Sequence, residues 1–172
     1  MLLYRSLKDF YKKDDKSPAL MYMGKTFDYG TLFAAIEDAA RRLSTVVKTG
    51  ETVTVCMPNT PECVYCFYAI NRLGAIAHMV HPLAPLAQLS KFMAAAGSKT
   101  LITLSINLDK YAPIAKDRRI ISIHPARSLN GILRFAFDLK VKPYKGDMTG
   151  ITNYDALPLG PIPPEPTRSS DT

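Results

Sequence analysis

The stretch Gly50-Glu51-Thr52-Val53-Thr54-Val55-Cys56-Met57-Pro58-Asn59-Thr60-Pro61-Glu62 decides the fold. Its first half is a run of β-branched residues suited to an extended, buried chain. Its second half stops that strand and starts a helix, because Asn59 or Thr60 can cap and Pro61 suits a first helical position. The unit then repeats: helix over 61–73, strand over 75–80, helix over 85–96, strand over 100–104. Pro85 opens the second helix as Pro61 opens the first, and Gly74 and Gly97 follow the two helices as stop signals. Alternation of this kind predicts βαβ units and an α/β fold with a mostly parallel sheet and flanking helices. A further strand over 120–123 extends it.

Upstream, residues 19–23 and 26–29 read as two short strands joined at Gly24-Lys25, an N-terminal β-hairpin. Leu32, Ile36, Ala39, Leu43 and Val47 then recur at helical spacing, with Glu37, Asp38, Arg41 and Arg42 on the opposite face. Asp28 can cap this helix, and Gly50 lies just past its end. Downstream, residues 129–139 form a basic amphipathic helix without an evident partner: Ile132, Leu133, Phe135 and Phe137 lie among Arg134 and Lys140. The proline-rich tail, from Pro158 through Pro161, Pro163, Pro164 and Pro166 to Thr172, reads as a linker. The division is therefore a partial domain over 1–157 and a linker over 158–172.

At 172 residues the chain suits one domain with a sizeable core. A hydrophobic share of 47% excludes the disordered class. The net charge of +7 is concentrated late: between Lys116 and Lys145, eight basic residues (Lys116, Arg118, Arg119, Arg127, Arg134, Lys140, Lys142, Lys145) face two acidic ones (Asp117, Asp138). Such an excess suits a solvated face, an anionic membrane surface or an acidic partner. No aromatic-interleaved basic patch or zinc-finger spacing speaks for nucleic acid. Charges at Arg5, Lys8 and Asp9 break up the opening Met1-Leu2-Leu3-Tyr4, so no signal-peptide core is present and a cytoplasmic location is expected. Three cysteines, an odd number, fit a reducing compartment.

Cys63-Val64-Tyr65-Cys66 followed by His78 and His81 raises a Cys2His2 metal site, but the histidines fall on a strand and its exit, where alternation separates them. A redox pair is the next reading, since a cysteine in a first helical turn can have a lowered pKa. Core packing is preferred, because Cys63, Cys66, Phe67 and Ile70 share one side of an apolar helix and Cys56 sits inside a strand. Neither Gly-x-Ser-x-Gly nor a glycine-rich phosphate loop occurs, so no catalytic residue and no metal ligand is assigned.

Read as text, Ser17-Pro18-Ala19-Leu20-Met21-Tyr22 and Lys25-Thr26-Phe27-Asp28-Tyr29 resemble the opening of acyl-CoA synthetases and their adenylate-forming relatives, with a "PALI" strand before "LTYAEL". The run from Gly50 to Glu62 resembles "GDRVALLLPNSPE" of that family. Asn71-Arg72-Leu73-Gly74-Ala75-Ile76 corresponds to "KAGAV", His81-Pro82-Leu83 to the "NP" step, and the run from Ala96 to Thr103 to "SGAKVLIT". The resemblance covers residues 17–104 and implies the large N-terminal domain of an AMP-forming acid–thiol ligase. The parent enzyme would use ATP, Mg and CoA to activate a carboxylic acid, fatty acids included, as an acyl-adenylate and then a thioester. It also implies that a Ser/Thr/Gly-rich phosphate loop begins just after Asp171-Thr172, so that the chain is a fragment, inactive alone and completed in cis by the rest of the enzyme. His81 replaces the family's asparagine; a structural role in the core is preferred for it, as for His78, and it is the candidate cofactor contact. The alternatives are a free-standing α/β binding module and a peripheral membrane-surface protein acting through 116–145.

Overall fold

A computed structural model of the chain describes residues 3–11, 15–162 and 164. The strand-stop-helix reading holds where it was made. The hairpin pairs β1 (Pro18–Tyr22) with β2 (Lys25–Asp28), antiparallel. Met23 and Gly24 both have positive φ, 48° and 77°, the twist that a two-residue hairpin loop requires; glycine supplies it freely and Met23 adopts it at a cost. Then come α2 (Tyr29–Leu43), β3 (Thr52–Cys56), α3 (Pro61–Arg72), β4 (Ile76–Met79), α4 (Leu86–Ala95), β5 (Thr100–Leu104) and β6 (Arg119–Ile123). The sheet order is β4-β3-β5-β6-β7, with β7 at Ile151–Asn153, and every neighbouring pair is parallel.

Three elements were not expected from the sequence. One is α1 (Leu3–Phe10), another is β7, and the third is the short helical passage from Ser105 to Lys116 that contains α5 (Leu108–Tyr111). Two terminations also differ from the sequence expectation. Helix α2 ends at Leu43 with Ser44 as its C-cap, well before Gly50, so buried Val47 belongs to a turn. Pro85 stands at the N-cap of α4 and offers it no side-chain cap.

Strand alternation sorts the core into two layers. Val53, Val55, Ile102, Leu104, Ile121 and Ile123 face α2 and α3, together with Leu32, Ile36, Leu43, Cys66 and Ile70. Cys56, Leu101 and Ile120 face Leu89 and Met93 of α4 and Leu108 and Tyr111 of α5. The residues Thr54, Thr103 and Ser122 in the strands are buried too, and their hydroxyls are engaged: Thr54 Oγ1 with His78 Nδ1 at 3.1 Å, Thr103 Oγ1 donating to Cys56 O at 2.8 Å, Ser122 Oγ donating to Thr152 O at 3.5 Å.

The charged face of α2 is covered as well. Fully buried Tyr4 of α1 donates its hydroxyl to Glu37, which also pairs with Arg72 Nε at 3.4 Å, while Asn71 Oδ1 accepts Tyr4 N–H at 2.9 Å. Farther along, Arg42 binds Asp38 at 3.0 Å, Arg127 binds Asp155 at 2.9 Å, and both guanidinium groups lie over the buried Tyr154 ring. The proline-rich stretch begins anchored here, since Gly160 N–H donates to Arg41 O at 3.0 Å and Arg42 donates to Leu157 O at 3.1 Å. A Cβ at Gly160 would come within 2.6 Å of Ser44 Oγ. The rest of the linker expected over 158–172, Asp171-Thr172 included, lies outside the described residues apart from 158–162 and 164.

Helix α3 is capped by Thr60, whose hydroxyl accepts Cys63 N–H at 3.3 Å from a buried position. Thr60→Ala is expected to cost about 1 kcal/mol of folding stability, read as a lowered urea midpoint with an unchanged m-value. An unchanged midpoint would remove Thr60 from the account of how the helix starts.

Candidate functional site

In an open parallel sheet, ligands bind outside the carboxyl ends of the strands where the strand order reverses. Here the chain leaves β3 for β4 on one side and returns to β5 on the other, so the reversal lies between β3 and β5. The loops that leave β3 and β5 flank that switch point, the second of them beginning at Ser105. Asn107 Nδ2 donates to Thr103 Oγ1 at 3.4 Å, which ties the second loop to the end of β5. Cys56 Sγ at the end of β3 donates to His81 O at 3.4 Å, which ties the exit of β4 to the same edge. Tyr111 Oη lies 3.4 Å from the same sulfur and 3.1 Å from Ala84 O, fixing the loop that carries His81.

The sequence reading placed His81 in the core; the structure corrects this, for its side chain is exposed. Strand β4 ends at Met79, so His81 follows the loop and escapes the strand's in-out alternation. Its Nδ1 accepts Leu83 N–H at 3.2 Å, which places the proton of the neutral ring on Nε2. His78 instead points back to Thr54. The two histidines therefore do not converge on Cys63 and Cys66, and no cluster of three or more metal-ligating side chains forms among the described residues.

Cys63 and Cys66 lie in the core beneath α3, and Cys56 is fully buried in β3. Burial pushes all three thiols up, with the Glu62 carboxylate adding to the effect at Cys63, and Cys63 and Glu62 adding to it at Cys66. These thiols are poor nucleophiles at neutral pH. The folded chain is expected to react with a thiol reagent at pH 8 far more slowly than the urea-unfolded chain, and prompt labelling of the folded chain would contradict the burial.

Glu62 is the functional-grade group that the sequence reading took only as a helix-start residue. It is 2% exposed in the first turn of α3, where the helix dipole favours a carboxylate. Its Oε1 accepts the Ser128 hydroxyl at 2.5 Å, and its Oε2 is enclosed without a hydrogen-bond partner among the described residues. Burial and then the Glu62 charge raise Tyr22, and the same two causes push Tyr65 up to about 12. The carboxylate thus links the hairpin, α3 and the turn after β6. Ser128→Ala leaves both oxygens without a protein donor and is expected to cost about 1–3 kcal/mol in urea unfolding, whereas Ser128→Thr keeps the hydroxyl and most of the stability.

A cavity of about 830 Å³ opens at the opposite, amino edge of the sheet, lined by Lys99, Lys116, Arg118 and Arg119 among others. Its two arginines serve carbonyls left by helix endings: Arg118 donates to Ser98 O after α4, and Arg119 donates to Val46 O at 2.5 Å after α2. The positive-φ glycines Gly24, Gly50, Gly74, Gly97 and Gly150 sit singly at turns rather than in one loop. The described residues therefore do not fit ATP phosphates or a Mg ion, since neither a run of backbone N–H groups nor a set of carboxylates converges.

A family model described as AMP-binding enzyme matches residues 7–166. Among solved structures, the chain is similar to apo MatB from Rhodopseudomonas palustris, at 20% identity and a TM-score of 0.63 over 71% of this chain and 26% of that one. It is similar to the O-succinylbenzoate coenzyme A synthetase MenE from Bacillus subtilis, at 22% identity and a TM-score of 0.63 over 71% of this chain and 26% of that one. The anthranilate CoA ligase AuaEII, solved with anthranoyl-AMP, gives 18% identity and a TM-score of 0.64 over 69% of this chain and 24% of that one. At these identities the likeness is one of fold, and the chain spans about a quarter of the length of the structures it matches. No curated protein matches it. With the parallel sheet, the hairpin before it and a family match over nearly its whole length, the chain belongs to the AMP-binding enzyme family.

Proposed function

We propose that this chain is the leading part of the large domain of an ATP-dependent acid–thiol ligase, and that by itself it catalyses neither adenylation nor thioester formation. One observation carries the reading: the family match spans residues 7–166, yet the chain covers only about a quarter of the length of the structures similar to it. The parent reaction activates a carboxylate with Mg-ATP as an acyl-adenylate and passes the acyl group to CoA. Binding of ATP, Mg and CoA is assigned to parts of the enzyme other than the residues described, and no step is routed through this chain.

The role left to it is to shape one side of the carboxylate-substrate space. The switch point at the carboxyl ends of β3 and β5 supports this, because ligands of open parallel sheets bind where the strand order reverses. AuaEII and MenE are named as CoA ligase and synthetase, whereas another structure of similar fold is NpsA-ThdA, an artificially fused adenylation–carrier di-domain from Klebsiella oxytoca. CoA is the thiol we assign.

Incubated with ATP, Mg and a panel of carboxylic acids, the 172-residue chain is expected to give no pyrophosphate exchange above background. Robust exchange would overturn the assignment. The gene provides the complementary test: a reading frame running past Thr172 into a Ser/Thr/Gly-rich loop supports the reading, and a stop codon there favours a free-standing binding module.

A further inference from the structure

The segment that leaves the sheet after β7 is bonded to the C-terminal turn of α2. The last carbonyls of a helix have no partner within it, and Arg41 O is one of them. It accepts Gly160 N–H at 3.0 Å, and Arg41 Nε donates back to Gly160 O at 3.3 Å, joining residues 119 positions apart. The next residue repeats the tie: Arg42 Nη1 donates to Asp155 O and to Leu157 O, both at 3.1 Å, while its Nε holds Asp38 Oδ2 at 3.0 Å. Leu157 and Tyr154 are buried, with the Arg42 guanidinium over the Tyr154 ring.

The fit at Gly160 leaves no slack. Gly160 is buried, and a Cβ there would lie 2.6 Å from Ser44 Oγ, 2.9 Å from Thr45 Cγ2 and 3.2 Å from Arg41 O. The glycine is required by this close approach of two backbones. A proline-rich stretch beyond the last described strand is the part of a domain least expected to be tied down, yet its first residues are held by four hydrogen bonds to one helix end.

We propose that this contact is a mooring: the end of α2 fixes the point from which the polypeptide departs toward the phosphate loop of the parent ligase, and Gly160 and Arg42 are positioning residues for that reaction. The proposal rests on the ligase reading above and on the resemblance that places such a loop just after Asp171-Thr172. Between Pro161 and Pro166 the sequence carries four prolines in six residues, a composition suited to a semi-rigid spacer. A stiff spacer passes the placement of its start on to its end, where a freely flexible tether would lose it.

Two measurements separate the mooring from the ligase reading. In the 172-residue chain, the amide at position 160 is expected to exchange with deuterium at least about 10-fold more slowly than in an unstructured peptide of the same sequence. Gly160→Ala should abolish that protection while the amides of β3 and β5 stay protected. Adding Ser44→Ala and Thr45→Ser, which remove the Oγ and Cγ2 in the way, should restore it. An unprotected amide in the wild type, or protection that Gly160→Ala leaves intact, overturns the mooring. In the longer chain encoded by the gene, Gly160→Ala and Arg42→Ala are each expected to lower kcat for ATP–pyrophosphate exchange at least about 10-fold, with an unchanged KM for the carboxylic acid. The compensating pair should restore kcat to the Gly160 variant. Variants that exchange at the wild-type kcat overturn the positioning role and leave the ligase reading standing. A stop codon after Thr172, or a longer wild-type chain that gives no exchange, overturns the ligase reading and the positioning role together, whatever the amide at position 160 shows.

Discussion

Everything in this molecule depends on covering both faces of one central strand. Strand β3 pairs in parallel with β4 on one side and β5 on the other, and its side chains alternate into two different cores. A parallel strand of this kind has no solvent face, so each crossover must deliver a helix, and successive crossovers must deliver it to opposite sides. The order β4-β3-β5 does this: α3 covers one face on the way to β4, and α4 covers the other on the way to β5. The same reversal opens the crevice at the carboxyl edge, so the arrangement that buries β3 also creates the place where a ligand can enter.

The two cores differ in chemistry. The face toward α2 and α3 is built from valine, leucine and isoleucine, and the face toward α4 and α5 includes Thr54, Thr103 and Ser122, whose hydroxyls bond to neighbouring strands and to His78. Satisfying those groups locally keeps the polar layer from destabilising the sheet. The remaining charged groups form ties between distant segments. Tyr4, Glu37 and Arg72 fasten the first helix, Arg42, Asp38, Arg127 and Asp155 fasten the last turns, and Glu62 with Ser128 joins α3 to the turn after β6. Asp138 of the last helix, α6 (Gly131–Lys140), meets His124 just after β6 in the same way.

How much was legible follows from the range of each signal. The strands β3 and β5 and the helices α2 and α3 were readable because their evidence lies within a dozen residues: β-branched runs, apolar spacing of three and four, Asp28 and Thr60 as caps. Helix α1 was missed, although Leu3, Tyr4, Leu7 and Phe10 recur at helical spacing, because its eight residues are short for a helix on their own and Tyr4 finds its seat only against α2 and α3. Strand β7 has three residues and forms because β6 offers it an edge. His81 was misjudged for a similar reason: alternation predicts burial only while the strand lasts, and β4 ends two residues earlier.

By itself, then, the sequence determined the parallel α/β architecture and the hairpin in front of it, because each rests on periodicity, capping and turn chemistry that act between near neighbours, while the family came from the resemblance of its motif runs. Only the tertiary structure decided which polar groups are spoken for. Ser128 is 66 residues from Glu62, and Asp138 meets His124 across a turn and a helix. Such pairings are set by where the completed sheet brings the segments, a property of the packing that no local pattern encodes.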